Sequence, residues 1–262
     1  MGDRRIFSSV MNPSGQVAVI IPAAGQGTRL GGHRKQFRVL GGKSVLVQTL
    51  LVFERHALVD HIIVATPEEA VVPLGYELRS VGISKLFDVV EGGASRQASV
   101  RAALSVLPEE VDVVLVHDAV RPFVRMSSVT AVIKIVKRLG AGSLAMPITD
   151  TVRKIVLPES GDISFGETVP REELVRIQTP QGFRPDWLKE AHEQAVENDA
   201  EATDDVLLVQ NLGHDVYPVA GCSLNIKITT QQDWELALRY WDQWQAILEE
   251  EEREQIVGQE TR

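Results

Sequence analysis

The feature that most constrains this chain is an alternation of two kinds of segment. Short, nearly continuous apolar runs rich in β-branched residues fall at 17–21, 61–65, 86–90, 111–116 and 143–147. Between them, at 45–55, 68–81, 95–107 and 127–139, apolar residues recur with helical period. A run without polar alternation is a strand covered on both faces, and strands separated by helices of this length build a parallel sheet with crossover helices. The expected domain is therefore α/β, with helices on both faces of a mostly parallel sheet. A chain of 262 residues with 44% hydrophobic content can bury the core such a domain needs.

The rhythm breaks over 151–178. Here 152–157, a polar turn at 159–162, and 174–178 read as antiparallel strands with no helix, an inserted β-arm of a kind that extends to a partner subunit. The parallel pattern resumes with a helix at 185–198, a short helix capped by Thr203, a strand near Val216 and another at 224–228. A long helix closes the chain. Thr230 and Asp233 match a capping signature, and Trp234, Leu238, Trp241, Trp244 and Leu248 repeat along one face that docks on the core or on another subunit. The acidic run at 249–254 reads as a solvated, fraying helix end. This divides the chain into a loose leader (1–16), a single domain (17–248, with the arm at about 151–178) and an acidic tail (249–262).

Charge and cysteine content narrow the function. A formal net charge of −9 does not attract nucleic acid or an anionic membrane, so any basic site must be local. No apolar stretch reaches the roughly 18 residues of a membrane span, and the first residues lack a signal-peptide core. The lone Cys222 excludes an intrachain disulfide and a multi-thiolate zinc site, which fits a cytoplasmic protein.

The local basic site lies directly after the first strand, in Pro22-Ala23-Ala24-Gly25-Gln26-Gly27-Thr28-Arg29-Leu30-Gly31-Gly32-His33-Arg34-Lys35-Gln36-Phe37. Its small residues let backbone N–H groups approach an anion, and Arg29, Arg34 and Lys35 add charge suited to several phosphates. A dinucleotide fingerprint fails because Leu30 stands where its third glycine belongs. A P-loop fails because no Gly-Lys-Ser/Thr triplet ends the segment.

That loop, with Gly92-Gly93-Ala94-Ser95-Arg96, His117-Asp118-Ala119-Val120-Arg121-Pro122, Asp150-Thr151, Thr179-Pro180-Gln181, Thr203-Asp204-Asp205 and Asn225-Ile226-Lys227, resembles the 2-C-methyl-D-erythritol 4-phosphate cytidylyltransferases. The blocks occur in that family's order over about 17–241. The resemblance implies a three-layer Rossmann-like nucleotidyltransferase fold and transfer of a cytidylyl group from CTP, with Mg2+, in the non-mevalonate isoprenoid pathway. The substrate phosphate attacks the α-phosphorus directly, so no protein nucleophile is required and none is evident.

By the same resemblance, Arg29 and Lys35 would stabilise the transition state. Ala23, Ala24, Gly25 and Gly27 would contact CTP, and Gly92, Gly93 and Ser99 would line its cytosine and ribose side. Arg34 stands where the family usually has proline, a departure that bears on the rigidity of the loop. Arg171, contributed by the neighbouring subunit of a homodimer, and Lys227, expected to end a strand, would anchor the polyol phosphate, with Thr151 and Arg121 nearby. Asp118, just past a strand's carboxyl end, is a candidate either to hold magnesium, directly or through water, or to accept a hydrogen bond from a substrate hydroxyl. The sequence leaves both open. His117 reads as a packed strand-end histidine, and Asp204 and Asp205 read as capping acids. Two other functions use the same residues: cytidylyl transfer to another polyol phosphate such as ribitol 5-phosphate, and a non-catalytic nucleotide-binding module. Retention of Arg29, Lys35, Arg171 and Lys227 together argues against the second.

Overall fold

The computed structural model describes residues 15–25, 35–158 and 161–260. β1 (Gln16–Pro22) is followed by the small β2 (Val39–Leu40) and β3 (Lys43–Ser44), α1 (Val45–Arg55), β4 (His61–Thr66), α2 (Val71–Ser80), β5 (Leu86–Glu91), α3 (Arg96–Leu104) and β6 (Val111–Val116). Next come α4 (Met126–Leu139), β7 (Ala141–Pro147), β8 (Val152–Val156), β9 (Ser164–Val169), β10 (Val175–Phe183), α5 (Pro185–Glu197), α6 (Asp205–Asn211), β11 (Tyr217–Ala220) and α7 (Gln231–Glu260). Among the described residues seven strands form one sheet in the order β11-β7-β10-β6-β1-β4-β5.

The apolar runs are strands because both of their faces are covered. On β1, Val17, Val19 and Ile21 enter one core cluster while Ala18 and Ile20 enter the other. All pairings in the large sheet are parallel except those of β10, which runs antiparallel to β6 and β7. The reversal follows from connectivity: the chain leaves β7 and returns through a hairpin, and without a crossover helix the returning strand can only pair antiparallel.

Several sequence expectations are corrected. The arm consists of β8 paired with β9, and 174–178 lies outside that pairing, because Val175–Phe183 is a central strand of the main sheet. The short helix is capped by Asp204, whose carboxylate accepts from Leu207 N–H at 3.1 Å, rather than by Thr203. Residues 224–228 form no strand: their apolar alternation packs Leu224, Ile226 and Ile228 on the core, and Ile228 N–H donates to the Val120 carbonyl at 3.0 Å. In α7 the buried face runs through Trp234, Ala237, Trp244 and Leu248, with Trp241 partly buried, while Leu238 is 52% exposed. The acidic run is no frayed end either. Glu251 is 4% exposed and bonds the start of α4, and Glu252 pairs with Arg55 at 2.7 Å.

Candidate active site

In an open α/β sheet, loops at the strands' carboxyl ends diverge where successive connections leave on opposite sides, and a crevice opens there. β1 lies between β4 and β6, and the chain beyond β1, β5 and β6 encloses a cleft of about 210 Å³. Its walls include Ala23, Ala24 and Gly25 after β1; Gly93, Arg96 and Ser99 at the start of α3; Asp118 after β6; and Lys35, Gln36 and Lys227. A second compartment of about 170 Å³ shares Arg96, Asp118 and Lys227 and adds Arg121, Gln178 and Thr179.

Gly92 stands behind the first wall, where a Cβ would lie 2.5 Å from that of Ala24 and 2.9 Å from Ser99 Oγ. Only glycine allows this approach. Ser99 is buried, and its hydroxyl donates to the Ser95 carbonyl at 2.8 Å. Arg29, Gly27 and Arg34 lie outside the described residues. Arg171 and Thr151 do not line either compartment. Arg171 is half-exposed beside the arm and donates to the Thr149 carbonyl at 2.6 Å, while Thr151 is exposed just before β8.

The two compartments meet at Asp118. Its Oδ2 lies 3.0 Å from Arg121 Nε and 3.1 Å from Lys227 Nζ, and its Oδ1 lies 3.4 Å from Arg96 Nε. Burial alone would raise the pKa of this carboxyl, but Lys227, Arg96 and Arg121 outweigh it and hold the group far below the usual carboxylate range. Arg96 also reaches the fully buried Asp205 at 2.6 Å, and Asp205 in turn accepts from His192 Nε2 at 2.9 Å. Burial likewise opposes ionisation of Asp205, and Arg96 and His192 reverse the shift, keeping it anionic. Sequence reasoning assigned Arg96 no role, although it closes the Gly92–Arg96 motif. Its place at the N-terminus of a helix after a strand was the available signal.

Buried polar groups brace these charges. Thr179 Oγ1 accepts from Asp118 N–H at 3.1 Å, so its own proton goes to His117 Nδ1, and His117 Nε2–H donates to the Arg121 carbonyl at 3.0 Å. Burial lowers the His117 pKa to about 4, and the neutral ring is a strut under the Asp118–Arg121 turn. Arg121 Nη1 donates to the Asn225 carbonyl at 2.8 Å, and Asn225 Nδ2 donates to the Thr179 carbonyl at 2.8 Å. These bonds fix the segment that carries Lys227 beside the end of β6.

Among the described residues no group of three or more His, Cys, Asp or Glu side chains is arranged to hold a metal. Asp118 is the only acid among the described residues lining the first compartment, and its Oδ1 has just one long contact, to Arg96. Magnesium keeps several waters and takes other ligands from substrate phosphates, so a single such carboxylate suits it.

Residues 17–243 match the model of the 2-C-methyl-D-erythritol 4-phosphate cytidylyltransferase family. The enzyme of that name from Salinibacter ruber is 53% identical over 229 residues, covering 87% of this chain and 94% of the relative. A crystal structure of the Thermus thermophilus enzyme of that name superposes with a TM-score of 0.72 at 37% identity, covering 87% of this chain and 99% of that one. The 4-diphosphocytidyl-2C-methyl-D-erythritol synthase of Anaerococcus prevotii gives a TM-score of 0.75 at 28% identity, covering 86% and 96%.

Proposed function

Because the chain belongs to the 2-C-methyl-D-erythritol 4-phosphate cytidylyltransferase family, and so transfers a cytidylyl group from CTP to that polyol phosphate, we propose that the two-compartment cleft is where the transfer occurs. The first compartment takes CTP. The Ala23–Gly25 backbone, with Gly27, Arg29 and Lys35, holds the triphosphate, and Gly92, Gly93 and Ser99 shape the cytosine and ribose side. The second takes the polyol phosphate, anchored by Lys227 and oriented near Arg121. The single observation that carries this reading is the meeting of Arg96, Arg121 and Lys227 around Asp118 where the compartments join.

An oxygen of the substrate phosphate attacks the α-phosphorus, a new P–O bond forms, and the α–β bond breaks as pyrophosphate leaves with the electron pair. The protein brings two mutually repelling anions into line and supplies positive charge that needs no rearrangement during the reaction. Mg2+, held by Asp118 directly or through water together with the triphosphate, would add charge neutralisation at the phosphates. Pyrophosphate and 4-diphosphocytidyl-2-C-methyl-D-erythritol are the products.

Arg171 and Thr151 belong to this reading through a homodimer, in which the arm of one subunit delivers them to the other's second compartment. The hairpin supports it: Phe165 is 81% exposed and Ile155 58%, an apolar surface that a lone subunit leaves in water. Among the described residues no helix is long and apolar enough to cross a membrane; the single cysteine suits a reducing compartment such as the cytoplasm.

Pyrophosphate release with CTP and Mg2+ tests the whole reading when 2-C-methyl-D-erythritol 4-phosphate and ribitol 5-phosphate are offered in parallel, then UTP and ATP in place of CTP. Turnover is expected with CTP and the methylerythritol phosphate. Reaction with ribitol 5-phosphate alone would overturn the substrate assignment, and a dilution-independent monomer with full activity would overturn the shared site.

A further inference from the structure

We propose that Gln36 is a positioning residue for the nucleotide: its side-chain amide latches the Ala23 and Gly25 carbonyls and so turns the loop's amide edge toward the cleft. The inference rests on the assignment of that loop to CTP. Gln36 lies in a single 3₁₀ turn, Lys35–Phe37, and is 3% exposed. Its Nε2 lies 2.8 Å from the Ala23 oxygen and 3.2 Å from the Gly25 oxygen. Two carbonyls can only accept, so both hydrogens of the amide are committed to them. Although Gln36 itself reaches the cleft wall, its amide acts through the loop, with no side-chain N–H left for a ligand.

The consequence follows from peptide geometry. In a trans peptide the C=O and the following N–H point in opposite directions. Ala23 is fixed on one side by its own N–H, which donates to the Ala65 carbonyl at 2.7 Å as the last rung beside β4, and on the other by the latch on its oxygen. With the Ala23 oxygen turned to Gln36, the Ala24 N–H must face away from it. Among the described residues the Ala24 and Gly25 N–H groups donate to no backbone carbonyl, and both residues line the cleft. An anion-binding loop needs such donors held toward the ligand before it arrives. The same turn places the neighbouring Lys35 on the cleft wall, so one buried amide couples the backbone donors to the adjacent cation.

Gln36→Met and Gln36→Glu test this, each close to glutamine in size. The first leaves both carbonyls without a donor, and the second sets a carboxylate against them. Measured beside the parent are CTP affinity by calorimetry, kcat, the KM of each substrate, and the melting temperature. In both variants the CTP dissociation constant should rise about tenfold or more and kcat should fall, while the KM for the polyol phosphate stays within about twofold. That split separates positioning from a merely structural loss, which would lower the folded fraction and leave CTP affinity in the remainder unchanged. A folded variant with parental CTP affinity overturns the latch, as does an equal rise in both KM values or failure of both variants to fold at 25 °C. A parent that neither binds nor turns over CTP would instead overturn the function on which the latch depends.

Discussion

Replacing Glu251 with alanine should destabilise this protein by several kcal/mol without touching its chemistry. Helix α4 has no cap of its own: Arg125 occupies the capping position and its side chain makes no cap bond. The acceptor comes from α7. Glu251 Oε2 accepts from Met126 N–H at 2.8 Å, and Oε1 accepts from Ser127 Oγ at 2.6 Å, Ser127 N–H at 3.3 Å and Arg125 Nε at 3.1 Å. A lost N-cap acceptor costs about 1 kcal/mol, and each buried donor left unsatisfied costs roughly 1–3 kcal/mol. The Arg125 side chain is 42% exposed, so that ion pair adds well under about 1 kcal/mol. Of these donors only Met126 N–H is buried, whereas Ser127 is exposed and water can satisfy its groups, so the total is about 3 kcal/mol. For a chain of this size each kcal/mol moves the melting temperature by roughly 2–4 °C, so calorimetry should show a fall of about 6–12 °C. Glu251→Gln keeps one acceptor and should lose about half as much. Because the bonds lie at the start of α4, beyond the turn that bears Asp118 and Arg121, kcat/KM at 25 °C should stay within about threefold of the parent. A melting temperature within about 2 °C of the parent for the alanine variant would refute capping from α7.

Gly92→Ala should raise the KM for CTP and lower kcat/KM by roughly a hundredfold, because the new methyl meets Ala24 and Ser99 and pushes the loop off its position; steady-state kinetics would read this, and parental values would refute the close approach. Lys35→Met should cut turnover by about two to three orders of magnitude while CTP still binds, seen by comparing calorimetry with pyrophosphate release. Burial holds His56 and His117 at a pKa of about 4, below their unfolded value of 6.5, so the unfolded chain takes up protons first. Their contribution is complete above about pH 6.5 and is lost as the pH falls toward 4, about 2 kcal/mol each by pH 5. Urea titrations at pH 7.5 and 5 should show the loss, and His56→Gln should abolish about half of this part. Removing divalent cations with EDTA should stop pyrophosphate release yet leave the melting temperature within about 2 °C, since a metal that arrives with the triphosphate contributes little to the unliganded fold.

What could be read from the sequence was set by local periodicity. Residues 111–116 and 45–55 are, to the residue, β6 and α1, because an apolar run bounded by polar residues and a helical stripe opened by Ser44 are complete within a few positions. β10 was partly missed for the opposite reason. Gln178, Thr179, Pro180, Gln181 and Gly182 look like a loop, yet they occupy a central strand. The pairing with β7 slips between Ile177 and Gln181, and Gln178 and Thr179 face the second compartment there. For the start of α6 the sequence offered both Thr203 and Asp204 as capping residues, and only the fold selects Asp204. Glu251 was unreadable in principle, since its donors lie 125 positions away. At the site, strand-end logic reached Asp118 and the loop after β1, whereas Arg96 and Gln36 act on partners brought together only by the fold.

The charge arrangement at Asp118 explains how a chain with a net charge of −9 keeps a cationic cleft assembled before any substrate enters. Arg96, Arg121 and Lys227 would repel one another in a partly buried space, and the shared carboxylate offsets that repulsion. The three are not equally tethered. Arg121 is held by Asp118 and by the Asn225 carbonyl, and Arg96 by two carboxylates. Lys227 has one contact to Asp118, and its side chain is 42% exposed, against 25% for Arg96 and 11% for Arg121. A lysine ammonium on a flexible stem reorients at lower cost than a guanidinium locked in a fork. Of the three, Lys227 is therefore the cation best able to turn toward an arriving anion, while the two arginines keep Asp118 charged and in place. An alanine at Asp118 would leave the cations repelling one another, and an asparagine would keep the shape but remove the charge that gathers them.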